Sequence, residues 1–203
     1  MRGLSDKVMR RLIWLLLVLA LYFLGSAFYI PAKAMLAQQL LQQAWAETLH
    51  THGQVSKPWP WADTWPVARL IVPAHHIDQI VLEGDMGNSL AFAPGQSLQS
   101  FTDKVSGAIM ISGHRDTHFH FLKDIALGEF IELQNEAGVI DRYQVQDLQI
   151  IDTRYGEVEV PRTGRWLLLV TCYPFDALQT GGSQRFVVSA EAVNGPHELT
   201  LPI

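Results

Sequence analysis

Apolar residues fall into two regimes along this chain. Residues 12–30, LIWLLLVLALYFLGSAFYI, form an unbroken run of 19 uncharged positions, whereas beyond residue 66 apolar residues come in short runs separated by Gly, Pro, Asn and Asp. As a helix, the first run extends about 28 Å, close to the hydrocarbon thickness of a bilayer, so it predicts a transmembrane helix. A second helix is expected over residues 34–49, where Leu36, Leu40, Ala44 and Leu49 share a face and glutamines occupy others; it reads as a stalk. Three prolines in HGQVSKPWPWADTWP, residues 52–66, preclude a regular helix or central strand. Its tryptophans, Trp59, Trp61 and Trp65, suit either a belt at the lipid headgroups or a strap packed on the following domain.

From Val67 onward the pattern predicts strands. VARLIVP, DQIVLEG, GAIMISG, EFIELQN, YQVQDLQIID, RWLLLVT and RFVVSAE are rich in β-branched or aromatic residues. EFIELQ and YQVQDLQII alternate apolar and polar, as strands with one wet face do, while IMISG and LLLVT are apolar enough to be buried on both sides. Short helices fit around residues 117–125 and near Ser89. Seven or eight short strands with few helices imply a mainly β domain, a barrel or a sandwich. The expected organisation is a cytoplasmic terminus (1–11), an anchor (12–30), a helical stalk and Pro/Trp-rich strap (31–65) and a β domain (66–203).

Charge orients this arrangement. Arg2, Lys7, Arg10 and Arg11 precede the apolar run, so the positive-inside rule keeps the N-terminus in the cytoplasm and places the β domain outside it. A cleaved signal peptide is the competing reading, with AKA at residues 32–34 as a cleavage site. The length of the apolar run exceeds the roughly 7–15 residues of a signal-peptide core, and the reading adopted is an uncleaved, single-pass anchor. After residue 31 there are 11 Lys and Arg against 19 Asp and Glu, a net charge of −8. So acidic an exterior does not suit a nucleic-acid partner. An exterior location also gives meaning to Cys172, the one cysteine, because oxidising compartments favour paired cysteines.

Cys172 ends the LLLVT run and is followed by Tyr173 and Pro174, which should stop the strand and leave the thiol at its exit. It is either a buried structural thiol or a nucleophile, and a nucleophile needs a base or cation to raise its thiolate fraction. His114, after the apolar AIMISG run, also emerges at a strand end. Arg185 opens the last strand after Gly181, Gly182 and Ser183; it is a solvated edge residue or, beside a thiol, a stabiliser of an oxyanion. His114, His118 and His120 in HRDTHFH raise a zinc reading, but no H-E-x-x-H motif and no second His/Cys cluster accompanies them, and no metal or cofactor is expected.

Taken together, LLVTC, an upstream GHR, a downstream arginine and an N-terminal anchor resemble the sortases, membrane-anchored cysteine transpeptidases. The signature before the family's cysteine is T-L-x-T-C, and Leu168 stands where its first threonine would be. TCYPF and WPWADTWPVARL are most similar to the sortases of Gram-negative bacteria, class GN. The resemblance, over roughly residues 65–191, implies an eight-stranded barrel and a set of roles. Cys172 would be the nucleophile, His114 the general acid/base and Arg185 the oxyanion and substrate clamp. Thr171, Val170 and Leu168 would shape or contact the substrate site, with Leu168 making one face of the strand more apolar. The implied substrate is a protein with an LPxTG-like C-terminal sorting signal, joined through a Cys172 thioester to an amine acceptor that the resemblance does not name. The implied location is the inner membrane, held by residues 12–30, with the catalytic domain periplasmic. A purely hydrolytic cysteine peptidase and a non-enzymatic, membrane-tethered β module are the alternatives. The segments 83–95 and 179–184 read as loops flanking the site.

Overall fold

The computed structural model describes residues 6–85, 87, 89–97, 101–102, 107–156, 158, 163–177 and 181–193. Two compact units divide the chain, residues 1–39 and 40–203. Helix α1 spans Asp6–His50 and runs through Pro31, which forfeits one backbone hydrogen bond without ending it. The helix expected over 34–49 is thus the end of a longer one. Its N-terminal part is long and apolar enough to cross a membrane, and the large apolar side chains from Leu12 to Leu24, Trp14 and Tyr22 among them, are exposed. Of the four cations expected before it, Arg2 lies outside the described residues.

The second unit starts inside α1. Leu41 and Trp45 are buried with Ile80, Leu82 and Ala93, and Leu49 and Phe92 pack against them, so this stretch of helix covers the outside of a sheet. A Schellman motif stops the helix: the Gly53 amide donates to the Thr48 carbonyl at 2.9 Å and the His52 amide to Leu49 at 3.3 Å. His52 takes the left-handed conformation usually left to glycine, with φ of 55°. The strap that follows lies along the domain: Trp59 meets Phe92 edge to face at 5.4 Å, and the Thr64 hydroxyl donates to the Glu83 carbonyl at 2.7 Å. Trp61 stays 83% exposed.

Among the described residues nine strands follow: β1 (Pro66–Val72), β2 (Ile77–Glu83), β3 (Gly95–Gln96), β4 (Phe101–Thr102), β5 (Gly107–Ser112), β6 (Phe130–Asn135), β7 (Ile140–Asp152), β8 (Arg165–Cys172) and β9 (Gln184–Ala192). Their order is β3-β2-β1-β6-β7-β9-β8-β5-β4, and pairing of β3 with β5 closes eight of them into a barrel. All seven expected strands are present. The expected helices near Ser89 and residues 117–125 are single 3-10 turns, Ser89–Ala91 and His120–Lys123. The strand that closes the ring, β3, is only two residues long and lies in a segment read as loop. It fits because Gly95 has no Cβ: one added there would sit 2.1 Å from the Gly84 carbonyl oxygen.

Inward-facing residues build the core, among them Leu70, Val72, Ile111, Phe119, Leu122, Ile131, Tyr143, Leu167, Leu169 and Val188. Strand β8 is buried on both faces from Leu167 to Thr171, as its sequence predicts. Strand β5 is less covered than the expectation of burial on both sides, with Ile109, Met110 and Ser112 half-buried.

Burial of the helix end on the barrel should be measurable. Leu41→Ala is expected to lower the unfolding free energy of the detergent-solubilised chain by about 2–5 kcal/mol. Trp61→Ala should change it by less than about 0.5 kcal/mol, both read from denaturant titrations.

Candidate active site

Three adjacent strands end together. Strands β5 and β8 are parallel, paired from Gly107 with Arg165 to Ser112 with Val170. One further rung continues the ladder, the Gly113 amide donating to the Val170 carbonyl at 3.1 Å. The chain then reaches His114, just beyond the end of β5, and Cys172, the last residue of β8, so the register brings the two to the same end of the sheet. On the other side of β8, β9 runs antiparallel and Arg185 lies directly opposite Cys172. The adjoining Tyr173 amide donates to the Gln184 carbonyl at 3.0 Å, which makes Cys172 and Arg185 a non-hydrogen-bonded pair, the position where facing side chains come closest. Across the barrel wall the sequence is histidine, cysteine, arginine, with the thiol in the middle.

Cys172 is a free thiol, partly exposed, and His114 is exposed. The Arg185 guanidinium donates through Nη1 to the carbonyls of Gly182 at 2.6 Å and Gln184 at 2.9 Å. A guanidinium carries five N–H donors, so these contacts orient it without exhausting it.

The residues expected around the cysteine separate by face. Thr171 is buried inside the barrel, where its hydroxyl donates to the Gly113 carbonyl at 2.8 Å. That bond fastens the last turn of β8 to the residue before His114. Leu168 has no exposed surface and Val170 is 8% exposed, so their face of β8 is closed from Leu168 to Val170 and opens again at Cys172. Gly113 is required by close packing, since a Cβ there would lie 2.8 Å from the Phe119 ring.

His118 and His120 do not join the cysteine's row. Burial, aided by the charge of His114, holds His118 below the ordinary histidine range. His120 is exposed and lies 2.9 Å from the Lys123 ammonium. Among the described residues no group of three or more His, Cys, Asp or Glu is placed to hold a metal ion. Of the two expected flanking loops, residues 86, 88, 179 and 180 lie outside the described residues.

Sequence reasoning missed Arg115. It is only 6% exposed and donates to the carbonyls of Pro174 at 2.5 Å and Ala177 at 2.9 Å, and through Nε to the Asp116 carboxylate at 2.9 Å. The ion pair holds the Asp116 carboxyl below the usual carboxylate range. An arginine beside an aspartate ordinarily reads as solvated; the one available signal was its position between a buried strand and the apolar Phe119 and Phe121.

Comparisons with known proteins agree with this architecture. The family model described as Sortase domain matches residues 70–193, from β1 to the end of β9. Sortase D of Bacillus subtilis (strain 168) is 25% identical over 125 residues, which are 61% of this chain and 62% of that protein. Among solved structures, sortase A from Corynebacterium diphtheriae has a TM-score of 0.58 at 17% identity, covering 84% of this chain and 89% of that one. Streptococcus pneumoniae sortase C reaches 0.59 at 14% identity, covering 79% and 92% respectively. These structures share the fold, and the family model spans more than half of the sequence. The chain belongs to the sortase family.

Proposed function

We propose that this protein is a membrane-anchored cysteine transpeptidase in which Cys172 is the nucleophile, His114 the general acid/base and Arg185 the oxyanion clamp. The observation that carries this reading is the strand register that lines up His114, Cys172 and Arg185 on three neighbouring strand ends. In the first step the Cys172 thiolate attacks the carbonyl of a peptide bond. Arg185 stabilises the oxygen as it becomes negative, which a fixed cation does without reorganising at the moment of reaction. Imidazolium at His114 protonates the departing amine as the C–N bond breaks, leaving a thioester on Cys172. An incoming amine then attacks the thioester, neutral His114 takes its proton, and collapse of the adduct expels the Cys172 thiolate, restoring the thiolate and imidazolium. Water in place of the amine gives hydrolysis.

The substrate class in this reading is a protein with an LPxTG-like C-terminal sorting signal. TCYPF and WPWADTWPVARL favour the class GN type, hence an inner membrane and a periplasmic catalytic domain. Leu168 and Val170, being buried, shape the site from beneath, while Thr171 acts from inside the barrel by holding Gly113.

The test is a full-length chain in detergent micelles, incubated with an LPxTG-type peptide and an amine. A thioester on Cys172 should be trapped and seen by mass spectrometry, and it should vanish in Cys172→Ala. His114→Ala should lower turnover by about 10²–10⁴-fold. Arg185→Lys keeps the charge but loses the planar fork, and should cost about 10²–10³-fold. Cleavage that survives Cys172→Ala sinks the assignment. The anchor has its own check: deletion of residues 1–30 should move the chain from the membrane pellet to the soluble fraction.

A further inference from the structure

The sheet holds Cys172 and His114 together only up to Gly113 and Tyr173. The Gly113 amide to Val170 and the Tyr173 amide to Gln184 are the outermost rungs of the two ladders that flank Cys172. Beyond them both chains leave the sheet, one into the turn His114–Phe119 and the other into the segment Pro174–Ala177. Aromatic packing fixes part of the second segment: Phe175 meets Phe186 edge to face at 5.4 Å, and Tyr173 stacks on Phe186 at 6.4 Å. Those contacts tie the segment to β9. They do not reach the histidine's turn.

We infer that Arg115 is a positioning residue that clamps the segment after Cys172 to the turn bearing His114, and so keeps nucleophile and base in register. Arg115 follows His114 directly, and its acceptors Pro174 and Ala177 begin two residues after Cys172. One planar guanidinium therefore bridges the two segments that carry the reacting groups. Its third bond, from Nε to Asp116 at 2.9 Å, fixes the plane of the fork, and Nη2 adds a longer contact of 3.3 Å to the other carboxylate oxygen. A cation this buried persists only if its donors are met, and two carbonyls and a carboxylate meet them. Lysine places its donors at one point and cannot reach acceptors that diverge in this way. After Asp116, the charges of Cys172 and Asp176 also help hold Arg115 protonated, as expected if the clamp lies close to the thiol.

The inference rests on the proposed transpeptidase reading. Its test compares the wild-type chain with Arg115→Lys and Arg115→Met in detergent, with rates expressed per folded molecule from thermal melts. A displacement of about 1 Å between reacting groups costs about 10²-fold, so kcat for acyl-enzyme formation should fall by that order in both variants while KM stays within about threefold. Arg115→Lys retains the charge and most of the volume; its failure to rescue is what distinguishes a clamp from a general electrostatic effect. If Arg115→Met does not fold, Arg115→Lys decides alone, a loss of tenfold or more in kcat supporting the clamp. Wild-type kcat in folded Arg115→Lys would overturn it. A wild-type chain that forms no acyl-enzyme would instead sink the transpeptidase reading itself.

Discussion

The parallel pairing of β5 with β8 is the constraint on which the rest of the site depends. Parallel strands share a direction, so the residues that follow each of them emerge at the same end of the sheet. That is why His114 and Cys172, far apart in sequence, converge; an antiparallel pair would send them to opposite ends of the barrel. Such a pairing needs a long return path, and the chain between the two strands supplies it with a 3-10 turn and strands β6 and β7, which complete the far wall. Strand β9 then runs antiparallel to β8, so the start of one meets the end of the other and Arg185 arrives opposite Cys172. Fold and site are the same topological fact.

Side-chain alternation makes the register strict. Leu167 and Leu169 enter the core and Thr171 follows them inward, while Leu168, Val170 and Cys172 take the other face. A slip of one residue would place the thiol inside the barrel and turn Thr171 to the other face. Thr171 adds a second penalty to any slip. Its buried hydroxyl is satisfied by the Gly113 carbonyl, and leaving it unpaired would cost about 1–3 kcal/mol. Thr171, next to Cys172, thus ties the end of β8 to Gly113, the residue next to His114.

Much of this was legible before any coordinates. All seven main strands, the double burial of LLLVT and the emergence of His114 and Cys172 at strand ends follow from period-2 patterning and from Pro174. Three features were not. Strand β3 is too short to show any periodicity, and only the missing Cβ of Gly95 hints at a close approach. The continuity of α1 through Pro31 opposes the usual meaning of a proline, because local preference yields to the length of helix on either side. Arg115 was hidden by composition. A charged pair in a loop carries no sign of burial until the carbonyls it serves, some 60 residues later in the chain, are brought to it.

The leucine that replaces the signature threonine is best understood through the same strand. Leu168 has no exposed surface and lies between Ser189 of β9 and Met110 of β5. A threonine buried there would need a hydroxyl acceptor, whereas leucine needs only contact, so the substitution removes a polar demand from a closed face. Leu168 is also four residues before Cys172, about 13 Å along the strand at 3.3 Å per residue. The face is thus closed at Leu168 and Val170 and opens again at Cys172. In the proposed reading, the surfaces left for substrate contact around Cys172 are the turn after His114, the segment after Cys172 and the approach to Arg185. Those are the segments Arg115 and the Tyr173, Phe175 and Phe186 rings hold in place. In this sortase the body of β8 is core, and in the proposed reading substrate contact is left to the strand ends.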